Sequence, residues 1–140
     1  MHRSSQLLLL FLFTYALLIS GCSNDSRDPS PNSATVKHVV DGDTIDIAIG
    51  GNTERVRLIG VNTPETKHPT KGVECFGPEA SAYTEKLLPV GTKLRVERDI
   101  EARDKYGRLL LYVYIANSNV FVNLDLVLKG FARPMVFEPN

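Results

Sequence analysis

Charge of either sign is in no excess here. Sixteen lysines and arginines face sixteen aspartates and glutamates, a formal net charge of zero. That excludes a protein that coats nucleic acid by electrostatics alone, so any handling of a polyanion must come from a local cationic pocket. Cysteine is scarce, with only Cys22 and Cys75, and His38 and His68 stand isolated, so no Cys/His set at ligand spacing offers a zinc site. The apolar run Leu7–Leu18 is short of the ~20 residues that a permanent transmembrane helix needs. There is no internal repeat, and 140 residues leave room for one domain.

What is present begins with a leader. His2 and Arg3 give a weakly charged start, and Leu7–Leu18 is interrupted only by Thr14, so residues 1–22 read as a signal peptide. It closes with Leu18-Ile19-Ser20-Gly21-Cys22, which resembles the bacterial lipobox. That resemblance implies a diacylglycerol on Cys22, first residue of the mature chain, and an anchor of several acyl chains in a membrane of the bacterial envelope. The membrane is the outer membrane, which Ser23 fits, or the outer face of the cell membrane. Residues 23–34 shift to Ser, Asn, Asp and Pro without apolar periodicity and read as a flexible tether. With Cys22 acylated, Cys75 is the one remaining thiol and forms no internal disulfide.

The domain then runs from 35 to 140. Val36–Val40 and Asp43–Ile49 predict two paired strands around a turn at Asp41-Gly42, with Ile45, Ile47 and Ile49 on one face. Gly50-Gly51-Asn52 turns the chain into a third strand, Arg55–Ile59. Gly77-Pro78-Glu79 starts a helix whose apolar face is Ala80, Tyr83, Leu87 and Leu88, ended by Pro89 and Gly91. Lys93–Arg98 and Leu109–Ile115 are two more strands, and Asn123–Lys129 is a short helix stopped by Gly130. Five mostly antiparallel strands with two inserted helices predict a mainly β (α+β) chain, a small closed barrel of OB type, with a β-sandwich as the alternative.

Three polar clusters fall at strand ends or in loops: Asp41-Gly42-Asp43-Thr44, Arg57 with Asn62-Thr63-Pro64-Glu65, and Asp104–Arg108. Asp43 shares parity with Ile45 and Ile47, which aims its carboxylate toward the apolar side, a costly place without a cation or hydrogen bonds. Asp41, Asp43, the Asn62 amide and nearby carbonyls suit a hard divalent cation; equally, the two aspartates can be turn-stabilising residues. Arg57 and Arg108 suit bidentate binding of phosphate oxygens, or surface ion pairs. Glu65, stiffened by Pro64, can take a proton from water beside such a cation, or simply be solvated.

In this order, Asp-Gly-Asp-Thr, Arg-Leu-Ile-Gly-Val-Asn-Thr-Pro-Glu and Asp-Lys-Tyr-Gly-Arg closely resemble the staphylococcal nuclease (thermonuclease) family, most closely over Asn62–Thr84 and with likeness from about Val36 to Asn140. The resemblance implies an OB-type barrel and calcium-dependent hydrolysis of DNA and RNA, single strands preferred, to products ending in 3'-phosphates, by a monomer. It implies that Asp43 ligates calcium through its carboxylate and Thr63 through its carbonyl, with Asp41 as acidic neighbour and Asn62 as a further metal residue. Glu65 matches the general base and Arg57 and Arg108 the phosphate-clamping pair, whose loss is expected to cost ~3 to 4 kcal/mol of barrier each. Lys105 and Tyr106 resemble substrate contacts. Two departures stand out: Asn62 replaces a metal-binding aspartate, so weaker calcium affinity is expected, and the sequence ends where the family continues into a third helix. A catalytically weak or silent single-strand-binding module is the competing expectation.

Overall fold

Asp41 and Thr44 are cross-strand partners, so the hairpin they close has only Gly42 and Asp43 at its tip. The computed structural model describes residues 31–67, 70, 72–136 and 138–140. The expected signal peptide, Cys22, His68 and most of the tether lie outside the described residues. Strand β1 (Ser33–Asp41) and strand β2 (Thr44–Ile49) form this hairpin, and two register shifts in β1, between Val36 and His38 and between Val39 and Asp41, bend it at its far end. The turn therefore sits one residue later than the sequence suggested, and Asp43 belongs to the tip rather than to β2. β1 also begins two residues inside the segment expected to be tether, and Ala34 already joins the core.

Gly50 and Gly51, both at positive φ (57° and 83°), connect β2 to β3 (Asn52–Leu58) by the primed type of two-residue turn, which only glycine-like residues adopt without strain. β5 (Lys93–Glu97) and β6 (Leu109–Ile115) pair with each other, and β5 pairs with β1. The barrel closes where β3 and β6 run parallel, Arg57 opposite Leu110, giving the order β1-β2-β3-β6-β5. A closed five-stranded mixed barrel of OB type results, mainly β as expected. A second, two-stranded sheet was not foreseen: β4 (Val61–Asn62) pairs with β7 (Arg133–Pro134).

Helix α1 (Gly77–Leu87) has proline in its first turn and Glu79 near its positive end. Its buried residues are Gly77, Ala80 and Thr84, and the side chain of Leu88 follows them into the core with Ile45, Ile47, Leu94 and Val113. Helix α2 (Val122–Leu128) is stopped by Gly130 at φ +79°. Its Asn123, only 2 % exposed, accepts the Val113 amide at 3.0 Å and donates to the Ile59 carbonyl at 2.8 Å, tying the helix to β6 and to the residue that follows β3. No described helix is long and apolar enough to cross a membrane.

Candidate active site

The hairpin tip puts two carboxylates side by side at the barrel's mouth, each 6 % exposed. Asp43 is held rigidly: its Oδ2 accepts the Thr63 amide at 2.8 Å and lies 3.0 Å from Arg57 Nη2, while Oδ1 accepts from the Thr44 hydroxyl at 3.1 Å. Asp41 is held by other elements. Its Oδ1 accepts from the Gly42 amide (2.8 Å), the Thr66 hydroxyl (2.7 Å) and the Ser81 hydroxyl of α1 (2.9 Å). Gly42 is required by its neighbour: a Cβ there would meet three atoms of the Thr63 side chain at 2.7 to 2.9 Å. From α1, the Thr84 hydroxyl donates to the Gly42 carbonyl at 2.7 Å and fixes the tip from behind.

Arg57, projecting from β3, is as buried as the aspartates. Nη1 donates to the carbonyls of Leu58 (2.8 Å) and Val61 (2.7 Å), and Nη2 donates to Asn62 Oδ1 at 3.1 Å. Burial pulls its pKa down, and the negative charge of Asp43 opposes that pull. Arg108 also bears on it as a like charge, so the two guanidiniums share one field. Arg108 itself is oriented by Asp104, whose Oδ2 accepts from Nε at 2.7 Å and whose Oδ1 accepts the Arg108 amide at 2.9 Å. No hydrogen bond ties its Nη groups among the described residues, which leaves the fork of the guanidinium to face the cleft. Tyr106 lies under this group at 5.4 Å and under Lys105 Nζ at 5.1 Å, both within cation–π range.

Glu65 sits between these groups. The neighbouring Asp41 carboxylate, together with partial burial, raises its pKa above the ordinary carboxylate value. Asp41 moves the other way: burial pulls it up, but the neighbouring Glu65 carboxyl and the hydrogen bonds from Thr66, Gly42 and Ser81 outweigh this. Oε1 of Glu65 accepts the Lys67 amide at 2.8 Å, and the Glu65 backbone is bracketed by Glu74, whose amide donates to its carbonyl at 2.8 Å.

The described residues expected to bind metal or substrate or to carry catalysis come to one place. Asp41, Asp43, Arg57, Asn62, Thr63, Glu65, Lys105, Tyr106 and Arg108 all line one cleft of about 920 Å³ at the mouth of the barrel. Asp41 also stabilises its own turn through the Gly42 amide, and Arg108 also forms a part-exposed ion pair with Asp104, so the structural and the functional readings of these residues hold side by side. Sequence reasoning missed the supports: Thr66, Ser81, Thr84 and Glu74. Single hydroxyls that bond 25 to 42 residues away leave no local signature.

A hard cation is a chemical match for this mouth. The donors are oxygens, with no thiol or imidazole among them, and the Thr63 hydroxyl is buried without a hydrogen-bond partner among the described residues. No group of three His, Cys, Asp or Glu able to hold a metal ion is present among the described residues, so backbone oxygens, hydroxyls and water would have to supply most of any coordination shell, as calcium and magnesium accept. The residues fit such an ion.

Comparison with known proteins agrees. Residues 55–140 match the staphylococcal nuclease homologue family. Over 133 residues the chain is 41 % identical to the thermonuclease of Staphylococcus intermedius, covering 95 % of this chain and 77 % of that one. It is 40 % identical to the thermonuclease of Staphylococcus hyicus (78 % of this chain, 64 % of that one). Against the SPbeta prophage-derived endonuclease YokF of Bacillus subtilis (strain 168) it is 44 % identical over 76 % of this chain but only 36 % of the relative's length. Fold, site and relatives together define a hydrolase of phosphodiester bonds built on an OB-type barrel. Within that class, the chain belongs to the staphylococcal nuclease family.

Proposed function

We propose that this domain is a calcium-dependent endonuclease that hydrolyses DNA and RNA, preferring single strands, to products ending in 3'-phosphates. One observation carries the reading: Asp43, Arg57, Glu65 and Arg108 line a single cleft. Asp41, Asp43, Thr63 and Asn62 are the residues that hold the ion, which when bound neutralises charge at the phosphate and lowers the barrier to attack on it.

The remaining chemistry belongs to the chain. Arg57 and Arg108 grip non-bridging phosphate oxygens, and because charge on those oxygens grows toward the transition state, their hold tightens as reaction proceeds. Arg57 is held by the Leu58 and Val61 carbonyls, Asn62 and Asp43, so it meets the phosphate through its charge and by turning Nη2 from Asn62 or Asp43 toward the incoming oxygen. Glu65 takes the proton of the attacking water. Lys105 and Tyr106 at the rim contact the neighbouring phosphate or nucleotide.

The test is hydrolysis of single-stranded DNA and RNA oligonucleotides by the full chain with calcium, with magnesium and with chelator, followed by analysis of the new ends. Cleavage abolished by chelator and leaving 3'-phosphates is expected; cleavage that survives chelation, or intact oligonucleotide after long incubation with calcium, would overturn the proposal. Glu65→Gln is expected to lower turnover about 10²- to 10⁴-fold. We further propose that the protein works as a monomer, exported and held at an envelope membrane by lipid on Cys22. Cys22→Ala is then expected to move it from the membrane to the soluble fraction.

A further inference from the structure

Beside the catalytic cleft runs a second, smaller groove of about 270 Å³, lined by Pro64, Cys75, Phe76, Phe131 and Arg133 and sharing Asn62 and Glu74 with the cleft. Its volume falls just under the roughly 300 to 1,000 Å³ of pockets that take a whole ligand, so it suits one planar group of a larger one.

The wall is an aromatic stack. Tyr83 lies on Phe131 at 4.1 Å, and Phe131 on Phe76 at 5.5 Å with the rings 9° from parallel, while Phe76 itself remains 45 % exposed. Phe76 adopts φ +70°, a left-handed conformation rare for phenylalanine and found where the surrounding structure imposes it for a purpose. Next to it Gly77 is pressed on Thr66 and the Glu65 carbonyl, where a Cβ would meet atoms at 2.8 to 3.0 Å. The platform is therefore fixed relative to the catalytic base. Arg133, the cross-strand partner of Asn62, is exposed at the other edge, and no hydrogen bond or ion pair holds it among the described residues.

Resting on the nuclease reading above, we infer that this groove is a nucleobase subsite: the base one nucleotide beyond the one attached to the scissile phosphate stacks on Phe76 while Arg133 meets the phosphate next to it. A base can reach the groove only when unstacked from its neighbours, so the occupant is single-stranded nucleic acid.

Steady-state kinetics of the full chain test this, comparing a single-stranded octanucleotide with a nitrophenyl phosphodiester of one nucleoside, too short to reach the groove. Phe76→Leu is expected to raise KM for the octamer about tenfold, with kcat unchanged and both constants unchanged for the short ester; Phe76→Tyr restores the octamer KM, and Arg133→Gln raises it alone. Equal losses on both substrates, or an unchanged octamer KM, overturn the inference. Binding of a phosphorothioate octamer carrying 2-aminopurine gives an independent reading. Quenching by the wild-type chain that Phe76→Leu abolishes supports the subsite even if no substrate is cleaved, whereas cleavage with no quenching sinks the subsite and spares the nuclease.

Discussion

Asp43 Oδ2 lies 3.0 Å from Arg57 Nη2 with less than a tenth of either side chain exposed, whereas Arg108 pairs with Asp104 at 2.7 Å on a part-exposed loop. The two arginines face one cleft, but their ion pairs differ in kind.

That difference separates two variants. Arg57→Ala strips the Leu58 and Val61 carbonyls and buried Asp43 of their donor, and is expected to cost about 3 to 5 kcal/mol of stability. Arg108→Ala breaks a part-exposed loop ion pair worth roughly 0.2 to 1 kcal/mol. Both are expected to lower kcat about 10²- to 10³-fold. Urea titrations beside initial rates check this, and an Arg108→Ala chain as unstable as Arg57→Ala would contradict the separation of roles.

Gly42→Ala places a methyl onto the Thr63 side chain, and overpacking of this kind costs about 1 to 3 kcal/mol. Because the Thr63 amide also bonds Asp43, the displacement is expected to lower activity along with Tm. Adding Thr63→Gly removes the side chain that collides and is expected to recover part of the Tm. A Gly42→Ala chain of wild-type Tm and rate would show that the contact is slack.

Why some of this was legible in the sequence is plain from particular residues. Ile45 and Ile47 alternate because one face of β2 is core, and Leu109 to Leu111 are continuous because Leu109 and Leu111 pack into the core while Leu110, of opposite parity, is buried where it lines the cleft. The site clusters were legible as motifs, but not their joining, since Asp41, Glu65 and Arg108 meet only when the barrel closes. Placing Asp43 in a strand followed from parity alone; the two bends in β1 slide the turn by one residue, which parity does not record. The pairing of β4 with β7 was hidden because two residues carry no period.

Tyr83 joins the two helices, donating to Asp125 Oδ2 at 2.6 Å, and that hydrogen bond with partial burial pushes its pKa up from 10.0 to about 12. A group whose pKa is raised by folding stabilises the native state fully below the unfolded value and loses that contribution as pH climbs through the folded one. The Tyr83 contribution is therefore expected intact below pH 10 and fading between about 10 and 12. The stability difference between wild type and Tyr83→Phe, from urea midpoints at pH 8 and 11.5, is expected to shrink across this interval; a difference independent of pH would contradict the linkage. Tyr112 and Tyr114 cancel in the comparison.

Asn62 is where charge and geometry meet most directly. Its Oδ1 accepts from Arg57 Nη2 at 3.1 Å, which leaves one lone pair of the amide oxygen for a cation and adds no charge to the mouth. A carboxylate of the same length keeps that bond with one oxygen and offers the other to a cation, while adding a negative charge beside Asp41 and Asp43. Since calcium affinity rises with the number of charged ligands, Asn62→Asp is expected to tighten calcium binding roughly tenfold. Tm should then rise further at a fixed subsaturating calcium concentration, since an ion that binds only the folded chain stabilises it by mass action. In chelator the order should reverse, because the added carboxylate then crowds Asp41 and Asp43 with nothing but Arg57 to offset it. Calorimetric titration and melting with and without chelator measure both halves. An Asn62→Asp chain with unchanged calcium affinity would place the ion away from this residue and remove Asn62 from the set that holds it.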